Sequence, residues 1–537
     1  MADEVVRIGS ARLTGVVVGD AVEFRGIRFA RPPVGPLRFR PPQRPAELEG
    51  AVHATEYGPV APQAGSGLGT YVPGDPLEQD EDCLFLNVVA PAGPARRLPV
   101  LVFVHGGAFL AGSGSSALYR GAALAALGAV VVTINYRLGA LGFLAHPALA
   151  TDGGCVANWG LYDQLAALAW VRDHIGAFGG DPARVTLFGE SAGAMAVADL
   201  LAVPAARPLF RRAILQSGAS LAAPLEAASA VAERFAAELG LREVSRDALA
   251  AVPLADLLAA QQRIVAETDG GEGMPFQPVV DGVLLGRHPA EAIADGAAAG
   301  VDLVVGSNRD EYKLFSFAAA GRGELDDAGV TRLIERYLAA SGVEGAPLAA
   351  AEAVAHYRGA RLARGQAAAA RDVLDAVAGD WIFRLPQLRL AEAQSRHGRV
   401  FAYHFDWESP FAGGVLGACH GLELPFVFGT LDHPVISYFA GTDDDARRLS
   451  AEMRACWVAF AGSGDPSNAA VGRWPRYGTE RRETMCFGRT TRVEEAPYEA
   501  ERSFWDRPAS RYRVDGQLVG ARPVGIALLA GDDGTGT

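Results

Sequence analysis

Apolar and polar positions alternate along the first half of the chain in two periods. Leu98-Pro-Val-Leu-Val-Phe-Val104 and Gly128-Ala-Val-Val-Val-Thr-Ile134 are continuous β-branched and apolar runs, as strands buried on both faces should be. Each ends abruptly in a polar or glycine-rich segment, His105-Gly-Gly-Ala-Phe109 and Asn135-Tyr-Arg-Leu138. Between Gly160 and Phe178 the leucines, alanines and Trp170 instead recur at helical spacing, with Asp163 and Asp173 on other faces. Arg184–Phe188 reads as another buried strand and Ala194–Leu201 as a helix of good helix formers. Further strands are predicted at Arg211–Ser217, Val301–Gly306 and Arg399–Phe405. Apolar strands joined by helices predict an α/β chain whose large, mostly parallel sheet is covered by helices on both faces, with long insertions. Reactive groups should then gather at the carboxyl ends of the strands, where the polar motifs fall.

Length alone would suggest about three or four domains for 537 residues. No Ser/Gly-rich spacer, charge block or internal repeat supports that division. The Pro/Gly clusters Arg31–Pro36 and Ala61–Gly67 read as loops between periodic segments. One domain over 1–525 is therefore expected, followed by a tail, 526–537, with nothing to pack. Half the residues are hydrophobic and about a fifth charged, enough apolar material for a large core. The net charge of −13 argues against nucleic acid or an anionic membrane as partner. Lys313 is the sole lysine. The start, Met1-Ala-Asp-Glu-Val-Val-Arg7, lacks a basic-then-apolar leader, and the apolar stretch Ala122–Val132 is too short to span a bilayer. Cysteines at 83, 155, 419, 456 and 486 form neither a disulfide framework nor a metal-ligand spacing. Buried free thiols, a cytoplasmic location and no metal are expected.

Chemistry concentrates in Gly189-Glu190-Ser191-Ala192-Gly193, which puts a serine where a strand gives way to a helix. The glycines permit a sharp turn, the hydroxyl should be exposed on it, and the helix start offers unpaired N–H groups to a developing oxyanion. A serine hydroxyl needs a base, itself oriented by a third group. With such an elbow the order is serine, acid, histidine, which leaves His356, His397, His404, His420 and His433. His356 and His397 lie in helical stretches and His404 in a strand. His420 occupies the glycine-flanked loop Gly417-Ala-Cys-His-Gly-Leu-Glu-Leu424, where an exposed imidazole fits best. The acid should follow the strand Val301–Gly306, where Asp310 and Glu311 both stand, and spacing does not separate them. Oxyanion donors are the N–H of Ala192 and the small-residue loop His105–Phe109.

Together these residues resemble the type-B carboxylesterase family, the cholinesterase-like branch of the α/β-hydrolase fold. Phe178-Gly-Gly-Asp-Pro-Ala-Arg-Val-Thr-Leu-Phe-Gly-Glu-Ser-Ala-Gly193 is similar to the family's nucleophile signature and Glu81-Asp-Cys-Leu-Phe-Leu-Asn87 to its second signature. The likeness runs from Phe24-Arg-Gly-Ile-Arg-Phe-Ala-Arg-Pro-Pro-Val-Gly35 to about residue 490. It implies Ser191 as nucleophile, His420 as base and Glu311, over Asp310, as orienting acid. Gly107, Ala108 and Ala192 would form the oxyanion hole, supported by Gly106. Glu190 would stand beside the nucleophile, either stabilising a charged imidazole or making a purely structural hydrogen bond. Ser217 would support the triad, and Phe109 and Phe315 would line the substrate pocket. The resemblance implies a cofactor-free hydrolase of small carboxylic esters, monomeric or a small homo-oligomer, whose Gly-Gly-Ala loop accepts bulky, even tertiary, alcohols. Carbamates, amides or thioesters are alternative substrates of the same triad. A non-catalytic adhesion module is disfavoured because serine and histidine are both present. Two departures matter. The partner that Cys83 has in secreted members is missing from Gly58-Pro-Val-Ala-Pro-Gln63, and no choline site is assignable.

Overall fold

The computed structural model describes residues 5–64, 78–93, 97–268, 274–318, 325–340 and 345–506. Residues 507–525 of the expected domain and the expected tail 526–537 lie outside the described residues, as do residues 65–67 of the second Pro/Gly cluster. An eleven-stranded sheet organises the molecule. In spatial order its strands are Arg492–Glu495, Glu483–Phe487, Val400–Phe405, Asp302–Asn308, Arg212–Gln216, Gly180–Glu190, Leu98–Val104, Val130–Ile134, Phe85–Pro91, Ala21–Arg28 and Val16–Val18. From Glu483–Phe487 to Val130–Ile134 every neighbour is parallel; the strands beyond, at both ends, pair antiparallel. The antiparallel ends were not legible as such, because Phe85–Pro91 is as buried as the parallel strands and lacks the alternation of a half-exposed one.

Alternation does decide which core each side chain enters. Val100, Val102 and Val104 join Leu187, Leu215 and Leu303 on one face, with the helices Trp159–His174 and Ala192–Leu201. Leu101 and Phe103 point the other way, to Phe188, Ile214 and Val304 under the helices Leu424–Phe428 and Asp444–Ser463. The insertion after Asp302–Asn308 is helical: Lys313–Ala318, Asp327–Ala340, Ala346–Ala363 and Ala370–Gly379, then a π-helical turn Asp380–Arg384 leading into Leu385–Gln394. A separate three-stranded sheet, Val5–Ile8, Ala11–Thr14 and Ala51–His53, was not anticipated. All five cysteines are buried free thiols, Cys83 included. The Ala122–Val132 stretch divides between the helix Ala122–Ala125 and the strand Val130–Ile134. No helix among the described residues is long and apolar enough to cross a membrane.

The loop after Val130–Ile134 is fastened to the helix Trp159–His174 by one buried ion pair. Arg137 donates from its backbone N and Nε to Asp163 Oδ2 (3.0 and 2.7 Å) and from Nη2 to Oδ1 (2.7 Å). Both side chains are buried, so removing either partner strands the other's charge. Asp163→Ala is therefore expected to destabilise the fold by about 3–5 kcal/mol. Urea unfolding monitored by circular dichroism checks this; a loss under about 1 kcal/mol would mean the pair is already solvated.

Candidate active site

Ser191 is the single residue between the strand Gly180–Glu190 and the helix Ala192–Leu201, with φ 56° and ψ −128°. A non-glycine residue there stores on the order of 1–3 kcal/mol, so the surroundings must hold it. Ser191 N–H donates to Gln216 O on the next strand, and Met195 N–H donates to Ser191 O, both at 2.9 Å. Gly193 lies so close to the end of Leu98–Val104 that a Cβ would collide with the carbonyls of Val104 and His105. The helix thus begins directly above the neighbouring strand, its N-terminal dipole directed at the serine.

Sequence reasoning expected the Ser191 hydroxyl and the His420 imidazole to be exposed. The structure buries them, at 3% and 1% exposure. Two covers account for this. The 105–109 loop packs on the serine, since a Cβ on Gly106 would approach Ser191 Cβ to 2.9 Å. The helical insertion lays Phe315 and Phe383 against the imidazole, with ring centroids 5.3 and 4.6 Å away. Asp310 and Glu311 are also buried.

The two acids diverge. His420 Nδ1 lies 2.6 Å from Glu311 Oε2, while Glu311 Oε1 accepts from Ser217 Oγ (2.6 Å) and Asn308 N (2.7 Å). Asp310 instead accepts from Arg309 Nη2 (2.7 Å) and Ala418 N (3.0 Å), with Lys313 Nζ at 3.3 Å. On the other side of the ring, Glu190 Oε1 is 3.1 Å from His420 Nε2. Neither of those atoms has an aligned hydrogen-bond partner among the described residues, so the contact is one of charge. A third carboxylate, Glu423, is fully buried between Gln216 Nε2 (3.0 Å) and Asn308 Nδ2 (2.6 Å). Sequence reasoning missed Glu423, Gln216 and Asn308; the available signal was one acid in the otherwise apolar run after His420.

Burial disfavours a charged imidazole, yet Glu190 and Glu311 together outweigh it and hold His420 above its ordinary pKa. Burial pushes Glu190 up, His420 pulls it down, and Glu423 and Glu311 add to the rise. Burial also raises Glu423, helped by Glu311 and opposed by the two amide donors.

The 105–109 loop carries three successive positive φ values, at Gly107 (111°), Ala108 (55°) and Phe109 (60°). Tyr136 holds it, stacking on His105 at 4.5 Å and donating its hydroxyl to His105 O at 2.8 Å. The N–H groups of Gly107, Ala108 and Ala192 donate to no protein acceptor among the described residues. Phe109, expected to line the substrate pocket, instead turns its ring into the core, 4.8 Å from Phe143. Among the described residues no three His, Cys, Asp or Glu side chains are grouped to hold a metal ion.

Residues 2–505 match the model of the carboxylesterase family. The para-nitrobenzyl esterase of Bacillus subtilis (strain 168) is 40% identical over 506 residues, covering 94% of this chain and 98% of that protein. The phenmedipham hydrolase of Pseudarthrobacter oxydans is 37% identical over 471 residues, 84% of this chain and 89% of its own. A solved PNB esterase structure superposes with a TM-score of 0.82 at 37% identity, covering 94% of this chain and 99% of that one.

Removing the Glu190 charge takes away a group that favours imidazolium. Glu190→Gln is expected to lower the His420 pKa and move the acid limb of kcat/KM to lower pH by about one pH unit or more. A pH–rate profile on a p-nitrophenyl ester checks it; an unmoved limb would mean Glu190 carries no charge in the working protein.

Proposed function

The chain belongs to the carboxylesterase family and is a carboxylic ester hydrolase of the α/β-hydrolase fold, and from that premise we propose that it works through a Ser191–His420–Glu311 triad and an acyl-enzyme. Ser191 Oγ attacks the ester carbonyl while His420 Nε2 takes its proton. Glu311, accepting from Nδ1–H, keeps the imidazole's own proton on Nδ1, leaves Nε2 free to take the serine proton, and stabilises the imidazolium that forms. The N–H groups of Gly107, Ala108 and Ala192 receive the negative charge of the tetrahedral intermediate. The alcohol leaves with the proton from His420, and water, activated by the same imidazole, releases the acid.

The observation that carries this reading is the 2.6 Å contact between His420 Nδ1 and Glu311, whose other oxygen is already committed to Ser217 and Asn308. A carboxylate so fully coordinated cannot wander, and it leaves the imidazole one tautomer with Nε2 as the acceptor. Glu190 adds a second carboxylate beside that nitrogen, suited to the charged form of the base. The oxyanion donors come from backbone alone. With the Phe109 ring turned into the core, esters of branched alcohols fall within the proposed range.

Isosteric changes test the triad. Glu311→Gln is expected to cost about 10⁴-fold in kcat by leaving the wrong tautomer, and Asp310→Asn less than about ten-fold. The reverse order on one ester would assign the orienting role to Asp310. Ser191→Ala should lower kcat on the order of 10⁵ to 10⁶-fold.

The alcohol side is tested by comparing kcat/KM for tert-butyl and n-butyl acetate. Turnover of both is expected. Brisk n-butyl turnover with none for tert-butyl would place a wall near the alcohol and leave the triad standing.

A further inference from the structure

Asp199 is a buried acid that the proposed mechanism does not use. It sits near the end of the nucleophile helix Ala192–Leu201 and is fully buried. Its Oδ1 accepts one hydrogen bond, from Leu221 N at 2.9 Å, and its Oδ2 has no partner among the described residues. A carboxyl in so apolar a place, with one oxygen unpartnered, costs stability. What it holds is the far end of the segment 217–221, and that segment touches both halves of the proposed triad.

Ser217 starts the segment with φ 51°, donates its N–H to Gly306 O (2.8 Å) and its hydroxyl to Glu311 (2.6 Å). At Gly218 a Cβ would stand 2.5 Å from Ser191 O, so the segment also backs the nucleophile turn. Gln387 Nε2 braces it through Leu215 O and Gly218 O, both at 3.1 Å. Asp199 supplies the remaining brace, from the nucleophile helix itself.

We propose that Asp199 is a positioning residue for ester hydrolysis, clamping the segment 217–221 to the nucleophile helix so that Ser217 stays aligned on Glu311. The inference rests on the triad reading above. The elements packed on this helix carry Asp181, Arg184 and Glu190 on Gly180–Glu190, Arg212 on Arg212–Gln216 and Glu291 on Pro289–Ala294; Leu98–Val104 carries no ionisable side chain. Burial, opposed only by the Leu221 N–H, holds its carboxyl well above the usual aspartate range. The folded protein therefore prefers the neutral acid. Its contribution to stability is complete below the ordinary aspartate value of about 4 and is lost as pH rises toward the elevated folded value.

The test uses the full-length protein with p-nitrophenyl butyrate. Asp199→Leu removes the acceptor, and about a ten-fold fall in kcat with little change in KM is expected. Asp199→Asn keeps a neutral acceptor and should recover most of that loss. In a Ser217→Ala background the Asp199→Leu effect should shrink below about two-fold, since both changes act through one contact. The melting point of Asp199→Asn relative to the parent should rise between pH 5 and pH 9. This arm needs neither the leucine variant to fold nor the triad to be right. Multiplicative losses in the Ser217→Ala background, an effect on KM alone, or an Asn variant as impaired as the leucine one would each overturn the positioning role. A melting-point difference independent of pH would overturn the neutral clamp. If Ser191→Ala retained activity, the triad reading would fall, while the pH arm would still report the charge state of Asp199.

Discussion

A serine backbone at φ 56° and ψ −128° is the constraint around which the rest of the molecule is arranged. That geometry is unfavourable for any residue with a Cβ, and it persists because neighbours fix it from three sides. Gln216 O takes the serine N–H, the helix below takes its carbonyl, and Gly193 lets the helix start against the carbonyls of Val104 and His105. The first and last of these contacts each need a particular parallel neighbour in register. The strand Leu98–Val104 pairs with Gly180–Glu190 on one side, and Arg212–Gln216 pairs with it on the other. The strained turn is thus supported by the register of the three central strands, and it directs the helix dipole at the serine.

The second constraint is electrostatic. Glu190, Glu311 and Glu423 surround His420 in the interior of a protein with net charge −13. Three bare carboxylates would not share so small a volume. Amide and hydroxyl donors from Gln216, Asn308 and Ser217 divide the load, and the imidazole offsets part of the remaining charge. The carboxylates that those donors settle are the groups that raise the basicity of His420. Support of the fold and tuning of the imidazole are one arrangement here.

Much of this was legible along the chain, for reasons that differ by feature. Leu98–Val104 is seen over the residues its apolar run predicts, and the helix predicted from Ala194 begins at Ala192. The sharp turn at Ser191 was readable because local sequence determines a turn, whereas His420 was singled out by chain order and its glycine-flanked loop. The partition between Asp310 and Glu311 was not readable from spacing. It depends on Ala418 and His420, more than a hundred residues further on, each reaching for a different acid. Glu423 and Gln216 carried little signal for the same reason, since an acid or amide in an apolar run has meaning only once its distant partners are in place. Exposure was misjudged at Ser191 and His420 because their cover comes from the 105–109 loop and from Phe315 and Phe383, elements distant in sequence.

The central claim is that one serine, strained and buried, carries the acyl group. Diethyl p-nitrophenyl phosphate tests it directly, because it phosphorylates an activated serine and the adduct survives proteolysis. Peptide mapping by mass spectrometry after inactivation should find one diethylphosphoryl group, on the peptide containing Ser191, in proportion to the activity lost. Complete inactivation with Ser191 unmodified and the adduct on another residue would contradict the account.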